Sequence, residues 1–291
     1  MVRKVVITAA GLGTRLLPAT KEMPKEMLPI YVLGCNGVPV LKPLLQALFE
    51  QLYRFGFREY CFVVGRGKRA IEDHFTPDWD FVEKLDRMGK ASIVAELTGF
   101  YRMLEDSLLV WVSQPAPRGF GDAVLTARSF IGDEDFLLAA GDTYIISEND
   151  SFLARLLSIK PWDSRGASLL AKHVEDPSQY GVVLGEPISN EVIRVNRVVE
   201  KPSVPPSNLA IMPFYVFTPE ILKALNKVTP GVGGELQLTD AIQRLIEEKA
   251  DVKAAILGDK ELWLDVGTYE TYFNAFSVSY HYFSRQSLGG T

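Results

Sequence analysis

Residues 11–15, GLGTR, follow an apolar run rich in β-branched side chains, and the stretch continues through two lysines and two glutamates to MLP at 27–29. A tight glycine loop after a strand presents backbone N–H groups that suit a phosphate chain. The planar guanidinium of Arg15 can grip phosphate through two hydrogen bonds. Lys25 adds a compact positive charge a little further on. Together these residue types offer the handling of a polyphosphate. Two other phosphate devices fail at single positions. A dinucleotide fingerprint needs glycine at 16, where Leu16 stands, and no GK[ST] exists for a Walker loop. A second basic cluster, GRGKR at 65–69, has Phe62 where its first glycine should be, and is read as a solvated helix start.

Asp142 and Asp265 each stand just past an apolar strand-like run. Magnesium is commonly held by one or two carboxylates plus substrate phosphates. An aspartate in this position also commonly makes an Asx turn or a helix cap, and the residues alone leave both readings open. The cysteines, Cys35 and Cys61, and the histidines, His74, His173 and His281, show no CxxC or HxxxH spacing, so a zinc site is not expected. The two cysteines are expected to be free thiols in a reducing compartment.

The elements that must position these groups follow from periodicity. Strands are predicted at 5–8, 60–64, 108–112 and 136–140. Helices are predicted at 41–55, from 70 to 75, over 81–104 with breaks near Gly89 and Gly99, and over 122–130. Such alternation implies a parallel sheet with helices on both faces. The second half has a different pattern, in which GASLLAKH, GVVL, VIRVNRVVEK and AIMPFYVF read as closely spaced strands. A helix at 220–225 follows, then an amphipathic helix, LTDAIQRLIEEK, with Thr239 or Asp240 as its cap. A last strand at 262–264 leads into an aromatic segment, 269–283. The expectation is an α/β, Rossmann-like domain over residues 1–267, its sheet mixed but mostly parallel and flanked by helices. A helical tail, 268–291, packs on the same domain. Ligands of open α/β sheets bind outside the carboxyl ends of the strands. Here those ends carry residues 11–15, 114–121 and 141–142.

The chain's 291 residues, 47% hydrophobic and 23% charged, are enough for a sizeable core. A net charge of −5 argues against a general nucleic-acid binder. No apolar run is long enough to span a membrane, and no leader-like segment opens the chain, so a cytoplasmic protein is expected.

The stretch AAGLGTRLLPATKEMPKEMLP (9–29) resembles the signature of the nucleotide-sugar pyrophosphorylases. SQPAPRGFGDAV (113–124), QYGVV (179–183), VVEKPSVPPSNLAI (198–211) and PGVGGELQLTDAI (230–242) agree, in order, over nearly the full chain. Within the family the likeness is greatest to the bacterial UTP–glucose-1-phosphate uridylyltransferase branch. The resemblance implies the nucleotide-diphospho-sugar transferase fold and uridylyl transfer from UTP to glucose 1-phosphate, with pyrophosphate leaving. It implies that Gly11, Leu12, Gly13 and Thr14 cradle the triphosphate and Arg15 holds the departing pyrophosphate. Lys25 would neutralise the α-phosphate as charge builds there. Asp142 and Asp265 would bind Mg²⁺. Ala9 and Ala10 would leave room for the nucleoside, with Glu26 a further candidate for contacting it. Gln114 would pair with the uracil edge through its carbonyl and amide, and Gly119 would let backbone approach the ring. Gly181, Glu200 and Lys201 match the sugar side, Glu200 accepting from hexose hydroxyls and Lys201 contacting the sugar phosphate. Homo-oligomers, dimer or tetramer, are common in the family, and the aromatic tail reads as either a packed core helix or a subunit contact.

Two stretches depart from the pattern. YVLGCNGVPVLKP (31–43) is longer than the family's usual connection, and is read as a local loop. LDVGTYE (264–270) looks more like the thymidylyltransferase branch. The alternatives are therefore a thymidylyltransferase, an enzyme for another hexose 1-phosphate, or a non-catalytic sensing domain. Degenerate members usually lose the lysine or an aspartate, and Arg15, Lys25, Asp142 and Asp265 are all present.

Overall fold

Val5, Ile7 and Ala9 pack into one apolar cluster and Val6 into another, so the first strand, β1 (Lys4–Ala9), is buried on both faces. That is why its residues run as a continuous apolar stretch rather than alternating. The computed structural model describes residues 2–160 and 165–288. In chain order the next elements are β2 (Pro29–Leu33), β3 (Pro39–Pro43), α1 (Leu44–Phe55), β4 (Glu59–Val64) and α2 (Arg69–His74). Then come α3 (Trp79–Arg87), α4 (Ala91–Glu105), β5 (Leu108–Ser113), α5 (Phe120–Thr126), α6 (Arg128–Ile131), β6 (Phe136–Ala140) and β7 (Thr143–Ile146). The second half adds α7 (Ser151–Ser158), β8 (Gly166–His173), β9 (Gly181–Ser189), β10 (Val192–Glu200) and β11 (Leu209–Phe217). It closes with α8 (Glu220–Leu225), α9 (Leu238–Glu247), β12 (Asp251–Ile256), β13 (Leu262–Asp265) and α10 (Tyr269–Leu288).

One large sheet runs in the order β5-β4-β1-β6-β11-β8-β12-β10-β9. β5, β4, β1 and β6 are parallel, and so are β8 and β12, while β11 runs against both β6 and β8. The chain leaves β1 toward β4 and β5, then returns to place β6 on the other side of β1. The carboxyl ends of β1 and β6 are thus the topological switch point, where an open α/β sheet binds its ligand.

Several expectations are corrected. Residues 31–43 are not a loop but most of a β-hairpin: β2 and β3 pair from Pro29↔Pro43 to Leu33↔Pro39. Gly34 N–H bonds Val38 O at 2.8 Å to close its turn. Leu41–Pro43 therefore belong to a strand, and α1 starts at Leu44. Gly89 does separate α3 from α4, but Gly99 lies inside an unbroken α4. The helix expected from Asp122 starts at Phe120 and is followed by α6. β12 is a strand beyond those predicted from the sequence pattern. Neither Thr239 nor Asp240 caps α9; its N-cap is Gln237, without a side-chain cap bond, and Thr239 is engaged elsewhere.

The hairpin is held by the tail. Tyr31 meets Phe276 and Tyr280 edge-on, with ring centroids 5.1 and 5.0 Å apart. The Tyr272 hydroxyl donates to Pro29 O at 3.1 Å. α10 buries Ala275, Ser279 and Phe283 but leaves Tyr269 and Phe273 exposed.

Candidate active site

Gly13 takes φ +65°, a left-handed conformation that glycine adopts without a steric cost. The turn is fixed by the Thr20 hydroxyl, which donates to Gly13 O at 2.7 Å. Thr14–Leu16 then form a single helical turn that buries Leu16 as an anchor. Leu12 is exposed beyond the end of β1, while Ala9 and Ala10 are buried. Lys21, by contrast, is solvated, with Glu22 at 3.7 Å.

The Lys25 ammonium crosses to the end of β6, where it forms an ion pair with Asp142 Oδ2. Gly141 N–H bonds Thr8 O at 2.8 Å, which ties this loop to β1. β7 and β13 then form a two-stranded ribbon in which Asp265 faces Thr143. Val266 N–H donates to Asp142 O at 3.0 Å. The ribbon thus sets the two aspartates side by side although they lie in distant parts of the chain. Burial and then the charge of Asp142 push the Asp265 carboxyl up to about 6, with Lys25 opposing. Burial by itself would lower the Lys25 ammonium, but Asp142, Glu26 and Asp265 hold it above its ordinary value. The Arg15 guanidinium approaches the same corner: a methyl group added at Gly267 would lie 2.8 Å from Asp265 Oδ2 and 3.6 Å from Arg15 Nη2.

Lys25 and Arg15 oppose Asp142 and Asp265 here, a charge-balanced pocket that suits a polyphosphate together with a divalent cation. Two hard oxygen donors beside phosphate-binding cations fit Mg²⁺, which is seldom caged by protein ligands alone. Among the described residues no group of three or more His, Cys, Asp or Glu side chains gathers to hold a metal.

Glu26 turns the other way. It is almost wholly buried and bonds Lys68 Nζ at 2.8 Å. Lys68 belongs to the GRGKR cluster expected to be solvated, yet it too is buried. The cluster's charge serves an interior ion pair that braces the residue next to Lys25. Burial raises the Glu26 carboxyl, and the Lys68 and Lys25 ammonium groups oppose that shift.

At the end of β5, Gln114 is 5% exposed. Its Nε2 donates to Asp122 Oδ2 at 2.8 Å and to Gly119 O at 3.3 Å. Both amide hydrogens are therefore spent inside the protein, which corrects the expectation that carbonyl and amide alike face a base. Gly119 has φ +107°, and a Cβ there would sit 2.7 Å from Leu236 O. Its glycine is needed first for this close passage. Leu236 N–H bonds Arg118 O at 2.8 Å and Gly121 N–H bonds Leu236 O at 2.9 Å, so the 118–121 turn is stitched to the segment before α9.

On the far side, Gly181 pairs with Glu200 across β9 and β10. The Thr239 hydroxyl donates to Glu200 Oε2 at 2.6 Å. Lys201, at φ +38°, lies 3.4 Å from Glu200 and is half-exposed. Tyr180 links this group to the aspartates. It meets Trp263 edge-on at 5.2 Å, and its hydroxyl is raised by burial and by Asp265. Thr143 Oγ1 and Trp263 Nε1 are buried without a hydrogen-bond partner among the described residues. Lys68, Asp122 and Thr239 are the residues missed by sequence reasoning. Asp122 lies within the 113–124 motif and Thr239 within the 230–242 motif, and nothing local marks Lys68. A separate cavity of about 750 Å³, behind β7 and bounded by α1, α4 and α10, holds none of the candidate residues.

A sheet with its switch point at a glycine loop, a lysine and two aspartates defines a nucleotide-handling enzyme. The Nucleotidyl transferase family matches residues 4–280, and the chain belongs to it. It is 36% identical over 286 residues to a UTP–glucose-1-phosphate uridylyltransferase of Pseudomonas aeruginosa, covering 96% of both chains. It is 40% identical over 250 residues to a protein of the same name from Bacillus subtilis, covering 84% of this chain and 81% of that one. Among solved structures, a UDP-glucose pyrophosphorylase complexed with UDP-glucose superposes with TM-score 0.80 at 30% identity, over 97% of this chain and 100% of the other. A UTP-bound enzyme of the same kind from Acinetobacter baumannii gives 0.81 at 31% identity, over 97% and 93%.

Proposed function

We propose that this chain is a UTP–glucose-1-phosphate uridylyltransferase. A phosphate oxygen of glucose 1-phosphate attacks the α-phosphorus of UTP, the bond to the β-phosphate oxygen breaks, and pyrophosphate leaves with the electron pair. The observation that carries the reading is the intact cluster of Arg15, Lys25, Asp142 and Asp265 at the switch point, in a chain matching uridylyltransferases over nearly its whole length. Such a reaction depends on positioning and charge neutralisation rather than on a covalent intermediate.

In this reading the backbone of residues 11–14 binds the triphosphate and Arg15 holds the β- and γ-phosphates as they depart. Lys25 stabilises the charge that builds on the α-phosphate. Ala9 and Ala10 make room for the nucleoside, and Gln114 and Gly119 read the base. Gly181, Glu200 and Lys201 take the sugar phosphate, Glu200 held in place by Thr239. Asp142 and Asp265 would hold Mg²⁺, which when bound supplies neutralisation of phosphate charge. The exposed Tyr269 and Phe273 of α10 support a homo-oligomer built through that helix. Among the described residues no helix is long and apolar enough to cross a membrane.

The test is pyrophosphate release over a grid of nucleotides and hexose 1-phosphates. UTP with glucose 1-phosphate should lead, dTTP should be measurable but poorer, and CTP, ATP and GTP should be near background. A methyl-sized difference is worth only about 1–3 kcal/mol, so the pocket admits thymine at a reduced rate. Preference for dTTP would move the chain to the thymidylyltransferase reading that residues 264–270 suggest. Nucleotide binding without pyrophosphate release would make it a sensing domain.

A further inference from the structure

Selection between uracil and cytosine depends on which end of the Gln114 amide faces the base. N3 of uracil carries a hydrogen, whereas N3 of cytosine carries a lone pair. An amide that presents its carbonyl accepts from the first and repels the second; one that presents its NH₂ does the reverse. A free glutamine could turn over and serve either base.

Gln114 is not free. Its backbone N–H is tied to Val64 O at 2.8 Å, which fixes the residue at the end of the β4–β5 pair. Its Nε2 touches two oxygens that can only accept, Asp122 Oδ2 at 2.8 Å and Gly119 O at 3.3 Å. Rotating the amide by half a turn would bring Oε1 against both of them, oxygen against oxygen, one a carboxylate. Among the described residues no protein donor reaches Oε1. The carboxylate is itself held. Arg118 Nη2 lies 3.3 Å from the other oxygen, Oδ1, and the Asp122 side chain is only 14% exposed.

We propose that Asp122 is a positioning residue for base selection. By accepting the Gln114 amide hydrogens it leaves Oε1 as the sole group Gln114 can offer, an acceptor matched to the N3–H of a uracil-type base. The inference rests on the assignment of Gln114 to the base. It adds that the discrimination against cytosine is set by a residue one layer behind the base, which need never touch the nucleotide.

The experiment measures kcat/KM for UTP, dTTP and CTP with glucose 1-phosphate. Wild type is compared with Asp122→Asn, Asp122→Ser and the double variant Asp122→Asn/Gln114→Glu, each checked for a cooperative thermal transition. Asparagine and serine can both donate as well as accept, so either lets the Gln114 amide turn over. The UTP:CTP ratio should fall about tenfold or more, the usual scale of one misplaced base contact. dTTP should follow UTP throughout, because the two bases share N3–H. In the double variant the contact to Gly119 O is lost, but the introduced asparagine amide can donate to one oxygen of the introduced glutamate, and the other oxygen can only accept from the base. The UTP:CTP ratio should return toward the wild-type value.

A ratio unchanged in the folded single variants overturns the proposal. So does an equal loss for UTP and CTP with no recovery in the double variant, which would make Asp122 a structural support only. Serine keeps the test open should the asparagine variant fail to fold. A wild-type enzyme that releases no pyrophosphate from UTP overturns the nucleotide reading itself, and this inference with it. A UTP-selective wild type with indifferent variants overturns only the role of Asp122.

Discussion

Replacing Lys68 by methionine strands a buried carboxylate. Glu26 and Lys68 expose only 2% and 8% of their side chains and meet through a single contact of 2.8 Å. Removing one partner of such a pair costs about 3–5 kcal/mol, because the remaining charge stays buried and unpaired. The loss has a ceiling, since Glu26 can take up a proton instead. With an unfolded-state pKa of about 4.3, protonating it at pH 7 costs about 2.7 × 1.36, or roughly 3.7 kcal/mol, and at pH 5 only about 1 kcal/mol. In the variant the folded chain would keep a proton that the unfolded chain releases above about pH 4.3, so its stability falls as the pH rises. Glu26 is already raised by burial in the wild type, so these figures are upper bounds: denaturant unfolding of Lys68→Met should show a deficit from wild type of at most about 3–4 kcal/mol at pH 7 that shrinks toward pH 5. Glu26→Gln added to Lys68→Met should remove the fall in stability with rising pH that Glu26 causes in the single variant. A deficit equal at both pH values, or below about 1 kcal/mol at pH 7, would refute the claim that an uncompensated Glu26 charge is the cause.

Other perturbations address the proposed chemistry. Lys25→Ala should chiefly lower kcat, by about 10²–10³, the usual scale for losing a preorganised charge-stabilising group; steady-state kinetics showing only a raised KM for UTP would assign Lys25 to ground-state binding. Activity should vanish in excess EDTA and return with Mg²⁺, and Asp142→Asn should lose turnover while keeping its thermal transition; an unimpaired Asp142→Asn enzyme would remove that residue from the metal site. Glu200→Ala should weaken glucose 1-phosphate far more than UTP in binding titrations, and equal losses for the two ligands would make Glu200 structural.

The features legible in the sequence are those whose cause is local. The glycine loop and the buried parallel strands at its flank declare themselves through φ-permissive residues and continuous apolar runs. Misread segments are those in which two periods compete. Leu41 falls in step with the apolar spacing of α1, yet it pairs with Tyr31 because the turn at residues 34–38 folds the chain back before the helix begins. In β12, Asp251–Ala254 alternate over only four residues before Ala255 breaks the pattern, and the strand is held on both sides by β8 and β10. Gly99 loses its helix-breaking effect for a related reason: α4 is long, and flanking turns carry it across a single weak position.

The site divides along the same line. Arg15 and the glycines can be placed from the loop that contains them. The partnership of Asp142 with Asp265 needs the β7–β13 ribbon, an antiparallel pair formed by short strands that bracket most of the second half of the chain. Lys68 is the clearest case. By composition GRGKR is a solvated basic turn, and for Arg66 and Arg69 that holds, since both remain on the surface. Lys68 alone turns inward, because the helical turn that carries Lys25 toward Asp142 leaves Glu26 facing the interior, where a carboxylate needs a cation. The charge on Lys68 is thus explained by the position of Lys25, and a window of sequence around residues 65–69 contains no trace of that demand.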